Sequence, residues 1–165
     1  MTGEDYYAML EGSDKVYTIP DDLPYSMDFD LSGYIQTDTV PSISSGNLKK
    51  VEVTENGTTT TYEDEDALGE LAGGFGTLTL TSLADYHVTD ETLADYGLDE
   101  ASRVTATAEY EDVDTEEDKT FTVYLGSTDE DGNRYIMVDG SILVYTISSD
   151  VADNMIKVEE TAEEE

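Results

Sequence analysis

Apolar and polar positions alternate with a period of two along most of the chain, and that alternation predicts strands. Val51 and Val53 alternate within Leu48–Glu55, and Thr58–Glu63 is rich in β-branched residues. Between them Asn56-Gly57 supplies the two positive-φ positions of a type I′ turn, so this stretch predicts a hairpin. Val104, Ala106, Ala108 and Tyr110 fall on one face of a later strand, and Phe121, Val123 and Leu125 on one face of the next. Tyr135–Val138 and Ile142–Ile147, joined at Asp139-Gly140, are apolar at nearly every position, which predicts strands buried on both faces. Thr77–Thr81 alternates as a short strand, and the acidic run from Asp112 to Asp118 predicts a mobile connection.

Helical spacing is confined to short stretches. From Asp64 to Ala72 acids fill the first turn, Leu68, Leu71 and Ala72 share a face, and Gly73-Gly74 predicts the stop. Thr89 or Asp90 is placed to cap a turn in which Leu93 and Tyr96 face inward. Gly97 then takes the left-handed position and Leu98 packs back on the turn. Ser148 or Ser149 caps a closing helix with Val151, Met155 and Val158 on one face. The stretch Ser82–Val88 echoes Thr92–Leu98 ten residues later, which predicts recurring turn chemistry and places His87 where Gly97 falls, at positive φ.

A longer repeat is stronger. Tyr7–Ile19 aligns without gaps on Tyr135–Ile147, with eight of thirteen residues identical at a register of 128. Each copy predicts a hairpin, with turns at Glu11–Asp14 and Asp139–Ser141. The expected fold class is α+β: antiparallel hairpins in one or two sheets with short helices packed against them. The expected organisation is the back half of a repeat unit over residues 1–36, a second unit over 43–158, and an acidic, disordered tail over 159–165. Opening in mid-unit predicts a fragment of a longer protein.

Composition narrows the partners. The 165 residues hold 40 Asp and Glu against 7 Lys and Arg, a net charge of −33. Nucleic acid is excluded as a partner, because its affinity comes from cations that neutralise phosphate, and direct contact with an anionic membrane surface is excluded on the same ground. There is no Cys, hence no disulfide and no thiolate nucleophile. No run approaches the ~20 apolar residues of a membrane span.

The run Leu93-Ala94-Asp95-Tyr96-Gly97-Leu98-Asp99-Glu100, a strand, Tyr124-Leu125-Gly126, Arg134-Tyr135 and Val144-Tyr145-Thr146-Ile147 resembles domain of unknown function 4340. Members of that family read Tyr-Gly-Leu-Asp-x-Pro, a threonine-rich strand, a Leu/Ile-Gly turn, Tyr-Tyr, and Val-Tyr before a helix. The resemblance spans about Leu48–Val158, and Tyr6–Ile35 is similar to the end of a preceding copy. It implies an extracytoplasmic, membrane-anchored parent in the cell envelope, often encoded beside ABC-type transporter components of the gliding-motility kind. It brings no catalytic residues.

Candidate chemistry is sparse. His87 is the only His, so a histidine metal site or a Ser-His-Asp triad would hang on one turn residue. Among 40 acids some pair always suits glycoside hydrolysis, so that signal has no specificity, and the absence of Trp removes the usual sugar-stacking platform. Asp129-Glu130-Asp131-Gly132-Asn133 resembles part of a calcium loop, yet Val138 stands where the EF-hand has its Glu. A tight turn is the plainer reading, with low-affinity calcium on Asp129, Asp131 and Asn133 as the functional one. Gly73-Gly74-Phe75-Gly76 lacks the Lys-Ser/Thr of a phosphate loop and reads as a helix stop and flexible link. The Tyr residues read as sheet packing before they read as a binding surface. The expected function is therefore a non-catalytic, extracytoplasmic protein-interaction domain without a cofactor. Its expected partners are envelope proteins, in an accessory role to an ABC-type transport system. A cell-surface cation- or glycan-binding module is the alternative.

Overall fold

The computed structural model describes residues 6–9, 12, 14–19 and 35–158. The sequence expectations for Pro20–Tyr34, for Glu11 and Ser13, and for the tail after Val158 lie outside the described residues. The chain divides into two compact units, Met1–Gln36 and Thr37–Glu165.

In the first unit β1 (Tyr6–Met9) pairs antiparallel with β2 (Val16–Ile19). Tyr6 faces Ile19, Tyr7 faces Thr18, Ala8 faces Tyr17 and Met9 faces Val16. Gly12 turns at φ 77°.

The second unit is a seven-stranded antiparallel sheet with short helices, an α+β fold. β3 (Leu48–Glu55) and β4 (Thr58–Tyr62) form the hairpin at Asn56-Gly57, whose φ values of 51° and 77° are those the type I′ turn requires. α1 (Glu65–Thr77), β5 (Ser82–Asp85) and a 3-10 turn (Leu93–Tyr96) follow. Then come β6 (Val104–Glu111), β7 (Asp118–Thr128), β8 (Asn133–Val138), β9 (Val144–Ser148) and α2 (Ser149–Asp153). The strand order is β4-β3-β6-β7-β8-β9-β5.

Register sorts the side chains. Val51 and Val53 face Ala108 and Ala106, which face Phe121 and Val123; Leu125 faces Ile136, and Ile136 faces Tyr145. All of these are buried and form one sheet face; α1 packs beside β3 and against α2, and α2 lies against β8 and β9. On the other face Met137 and Val144 are buried under Val88 and Leu98, with Leu93, Tyr96, Tyr124 and Tyr135 around them. Consecutive burial of Ile136-Met137 and Val144-Tyr145 is the two-sided burial the near-continuous apolar runs predict. Ile142 differs: it lies before β9 and is exposed.

Several expectations are corrected. α1 does not stop at Gly73-Gly74 but runs on through Gly76 to Thr77. A Cβ on Gly74 would sit 2.6 Å from the backbone of Asn154 and Met155, and one on Gly76 2.9 Å from the Ile43 carbonyl. These glycines therefore admit neighbouring backbone and do not end the helix. Thr77–Thr81 is not a strand: Leu78 and Leu80 are buried, but pairing starts at Ser82, on β9. The ten-residue echo has no common conformation, because Ser82–Asp85 is a strand while Leu93–Tyr96 is a 3-10 turn. His87 is not at positive φ; its N–H donates to Asp85 Oδ1 at 2.9 Å. Thr92, not Thr89 or Asp90, holds the position before the 3-10 turn, and its Oγ1 accepts from the Thr89 N–H.

Gly97 has φ 64°, as predicted, and the Leu98 N–H donates to the Leu93 carbonyl. The Leu-Gly at 125–126 is not a turn but lies inside β7. A Cβ at Gly126 would meet the Tyr96 carbonyl oxygen at 2.1 Å, so glycine is what lets the 3-10 turn rest on the strand. The 112–118 connection is a hydrogen-bonded turn: Asp112 Oδ1 accepts from the N–H groups of Asp114 and Thr115 and from Thr115 Oγ1. In α2 the Ser148 hydroxyl accepts from the Val151 N–H, and the deeply buried residues of that segment are Ala152 and Met155.

Candidate functional site

Asp129, Asp131 and Asn133 are brought together in the turn between β7 and β8. The Asp129 carboxylate is already engaged there. Its Oδ1 accepts from the Asp131 and Asn133 N–H groups at 3.0 and 2.8 Å, and its Oδ2 from Asn133 Nδ2 at 3.3 Å. Desolvation raises its pKa, but the donors of Asn133, Asp131 and Gly132 outweigh it and hold the group below the ordinary carboxylate value. The signature that resembles a calcium loop is here an Asx turn. Among the described residues no three His, Asp or Glu side chains gather as a metal cluster.

A second arrangement escaped the sequence. Tyr145, fully buried, donates its hydroxyl to Asp38 Oδ2 at 3.1 Å and accepts from the Asp38 N–H at 2.9 Å. Ser141 Oγ donates to the same Oδ2 at 2.7 Å and accepts from the Leu143 N–H. The Tyr145 pKa is raised, chiefly by burial; the Asp38 N–H works against that rise and the Asp38 carboxylate adds to it. This network pins the segment leading into β3 onto the β8–β9 hairpin. Separations of 103 and 107 residues gave no local signal for it.

Arg103 stacks over the Tyr124 ring with its guanidinium carbon 3.7 Å from the centroid, and the Tyr124 hydroxyl donates to Asp139 at 2.5 Å. Tyr96 donates to Asp85 at 3.0 Å and meets Tyr135 edge-on at 5.0 Å. Burial is the main reason both phenols sit above their ordinary pKa. These tyrosines pack and hydrogen-bond within the second unit, Tyr124 and Tyr135 from strands and Tyr96 from the 3-10 turn. A hollow of about 220 Å³ is lined by Thr77, Thr79, Thr81, Ser82, Thr146 and Ser148, hydroxyls without a charged group among them.

The surface that stands out is the first hairpin. Aligned at 128, the pairs Tyr6–Ile19, Tyr7–Thr18 and Ala8–Tyr17 fall on Arg134–Ile147, Tyr135–Thr146 and Ile136–Tyr145, which is the pairing β8 and β9 adopt. Gly12 and Gly140 share φ 77°. The two hairpins have one register and opposite burial. Met137 and Val144 are 6% and 0% exposed, whereas Met9 and Val16 are each 62% exposed. Tyr145 is fully buried, whereas Tyr17 is 49% exposed and Tyr7 67%.

Fold and surface together define an acidic α+β sheet domain that carries a second, solvent-facing apolar hairpin. The chain belongs to the family described as Domain of unknown function (DUF4340), whose family model matches residues 61–161. No curated protein matches it in sequence. A solved structure, that of a thioesterase-like protein from Clostridium sporogenes, is similar over 69% of this chain and 94% of its own, with 17% identity and a TM-score of 0.46. A likeness that loose carries no argument about chemistry. No helix among the described residues is long and apolar enough to cross a membrane.

Proposed function

We propose that this chain is a non-catalytic protein-interaction domain working outside the cytoplasm, as an accessory to an ABC-type transport system. The observation that carries the interaction reading is the exposure of Tyr7, Met9, Val16 and Tyr17 on a hairpin whose register twin is buried within the same chain. Large apolar side chains left exposed together on a strongly charged chain, Tyr7, Met9 and Val16 on one face of the hairpin, mark a contact site. The transport connection and the envelope location rest on the character of the family. Supporting the non-catalytic reading, the Asp38, Ser141, Tyr145 and Tyr124 side chains spend their hydrogen bonds on packing and strand positioning.

The test is purification of the chain from its native envelope under mild detergent, with components identified by mass. The expected result is co-elution with transport components in fixed ratio, lost in a Met9→Asp/Tyr17→Asp variant that still melts cooperatively. A chain that elutes alone while transport complexes in the same preparation stay intact would overturn the proposal, as would turnover of a substrate.

A further inference from the structure

We infer that Asn56 is a site of spontaneous modification, where ring closure onto Gly57 and opening by water yield aspartate and isoaspartate, and that the isoaspartyl form releases β4 from the sheet.

The sequence sets a side-chain amide before a glycine, whose nitrogen no Cβ shields. The fold leaves both reacting groups open. Asn56 and Gly57 are exposed at the tip of the β3–β4 hairpin, and nothing lies within 4 Å of where a Gly57 Cβ would stand. Among the described residues neither the Asn56 side chain nor the Gly57 N–H has a hydrogen-bond partner.

The other three asparagines are placed differently. Asn47 Oδ1 accepts from the Ser44 N–H at 2.7 Å and from Ser44 Oγ at 3.1 Å. Its Nδ2 donates to the Ser42 and Glu111 carbonyls, at 2.9 Å each. Asn133 Nδ2 donates to Asp129, and Arg134 follows it. Asn154 precedes Met155, which is fully buried and holds the main chain in place.

The reaction needs only water. The Gly57 nitrogen gives up its proton and attacks Asn56 Cγ; a C–N bond forms, and the side-chain nitrogen leaves as ammonia. Water then opens the succinimide ring. Addition at the side-chain carbonyl breaks the new C–N bond and gives aspartate. Addition at the main-chain carbonyl breaks the original peptide bond and leaves the chain running through the side-chain carbon, as isoaspartate. Replacing ammonia by water adds about 1 Da and one negative charge.

The two products part at the turn. Asp-Gly suits a type I′ turn as Asn-Gly does, so aspartate keeps the hairpin. Isoaspartate adds a carbon to a main chain in which Glu55 faces Thr58 across a two-residue loop, and that register does not close over the longer path. Little else holds β4. All of its residues but Tyr62 are exposed, and among the described residues it pairs with β3 alone. Its release bares the outer edge of β3.

The test incubates the full chain at mildly alkaline pH and follows it by peptide mass and by amide hydrogen exchange. Asn56 should convert at least about tenfold faster than Asn47, Asn133 or Asn154, because glycine alone leaves the attacking nitrogen unshielded. In the separated isoaspartyl form exchange at Thr58–Tyr62 should speed up at least about tenfold, as local opening requires. The Asn56→Asp variant carries the same added charge on an unaltered main chain, and its β4 exchange should stay as in the parent. Conversion of Asn56 no faster than that of the other asparagines would overturn the modification site. Unchanged β4 exchange in the isoaspartyl form, or equal release in Asn56→Asp, would overturn the release of β4 by main-chain lengthening.

Discussion

Gly97 and Gly126 hold one contact from its two sides. Gly97 sits at φ 64° with Ser127 N 2.8 Å from where a Cβ would stand, and Gly126 lies under the Tyr96 carbonyl. Gly97→Val combines a β-branched residue at positive φ with a backbone clash, so it should cost more than the ~1 kcal/mol of a lost cap. Gly126→Ala should cost at least about 1–3 kcal/mol, the range for forced overpacking, read as a lower urea midpoint with unchanged slope. Gly97 was legible in the sequence because Leu93-x-x-Tyr96-Gly97-Leu98 is a local cap pattern. Gly126 was not, since a close approach from 30 residues away leaves no local trace, and His87 misled because sequence echo does not carry φ. Asp112 offers a pH test. Lys119, 2.7 Å away, and then the Thr115 donors lower its pKa from 3.8 to about 2. A carboxylate depressed in the folded state contributes stability that is full above its unfolded value and lost as pH falls through its folded one. The Asp112 contribution should therefore persist down to pH near 4 and disappear by about pH 2. Carbon-13 titration of Asp112 should show its midpoint climbing toward the ordinary value in Lys119→Met, and an unmoved midpoint would remove Lys119 as the cause.

At the scale of elements, hairpins were readable and the helix end was not. Period-two patterning and an Asn-Gly turn are local, so β3–β4, β6 and β7 followed from the chain itself. The run of α1 through Gly73-Gly74-Phe75-Gly76 depends on Phe75, 1% exposed, and on backbone from α2 and Ile43 that only folding brings near. The glycines of this helix thus split into two kinds. Nothing lies within 4 Å of a Cβ at Gly73, so Gly73→Ala should stabilise by about 0.5–1 kcal/mol through helix propensity. Gly74→Ala should instead destabilise, because the Asn154–Met155 backbone that follows α2 must retreat. Thermal melts of the two variants should move in opposite directions; a parallel shift would mean that α1 does not press on the Asn154–Met155 backbone.

Across the whole molecule, a net charge of −33 adds like-charge repulsion to the entropy that folding must overcome. Among the described residues Lys49 meets Glu111 and Asp118, Lys50 meets Glu52 and Glu109, and Lys119 meets Asp112. Arg134 and Lys157 both reach Asp153. These pairs lie at the surface, exposed or half-buried, and are individually weak, and the acids far outnumber the cations. Folding concentrates that repulsion, and screening at ~0.15 M ionic strength shortens its reach to about 8 Å. The melting midpoint should rise from low salt to added sodium chloride. It should rise further with millimolar calcium, without micromolar saturation, since Asp129 is committed to its own turn. A midpoint indifferent to both salts would show that the charges are already accommodated.

The central claim is that the exposed hairpin is the contact surface, and crosslinking from single positions tests it most directly. A photoreactive residue is placed at Met9 in one chain and at Thr107, on the polar sheet face, in another, and both are irradiated in the intact envelope. The account predicts an adduct with a transport component from position 9 and none from position 107. Equal yields at the two positions, or no adduct from position 9, would contradict it.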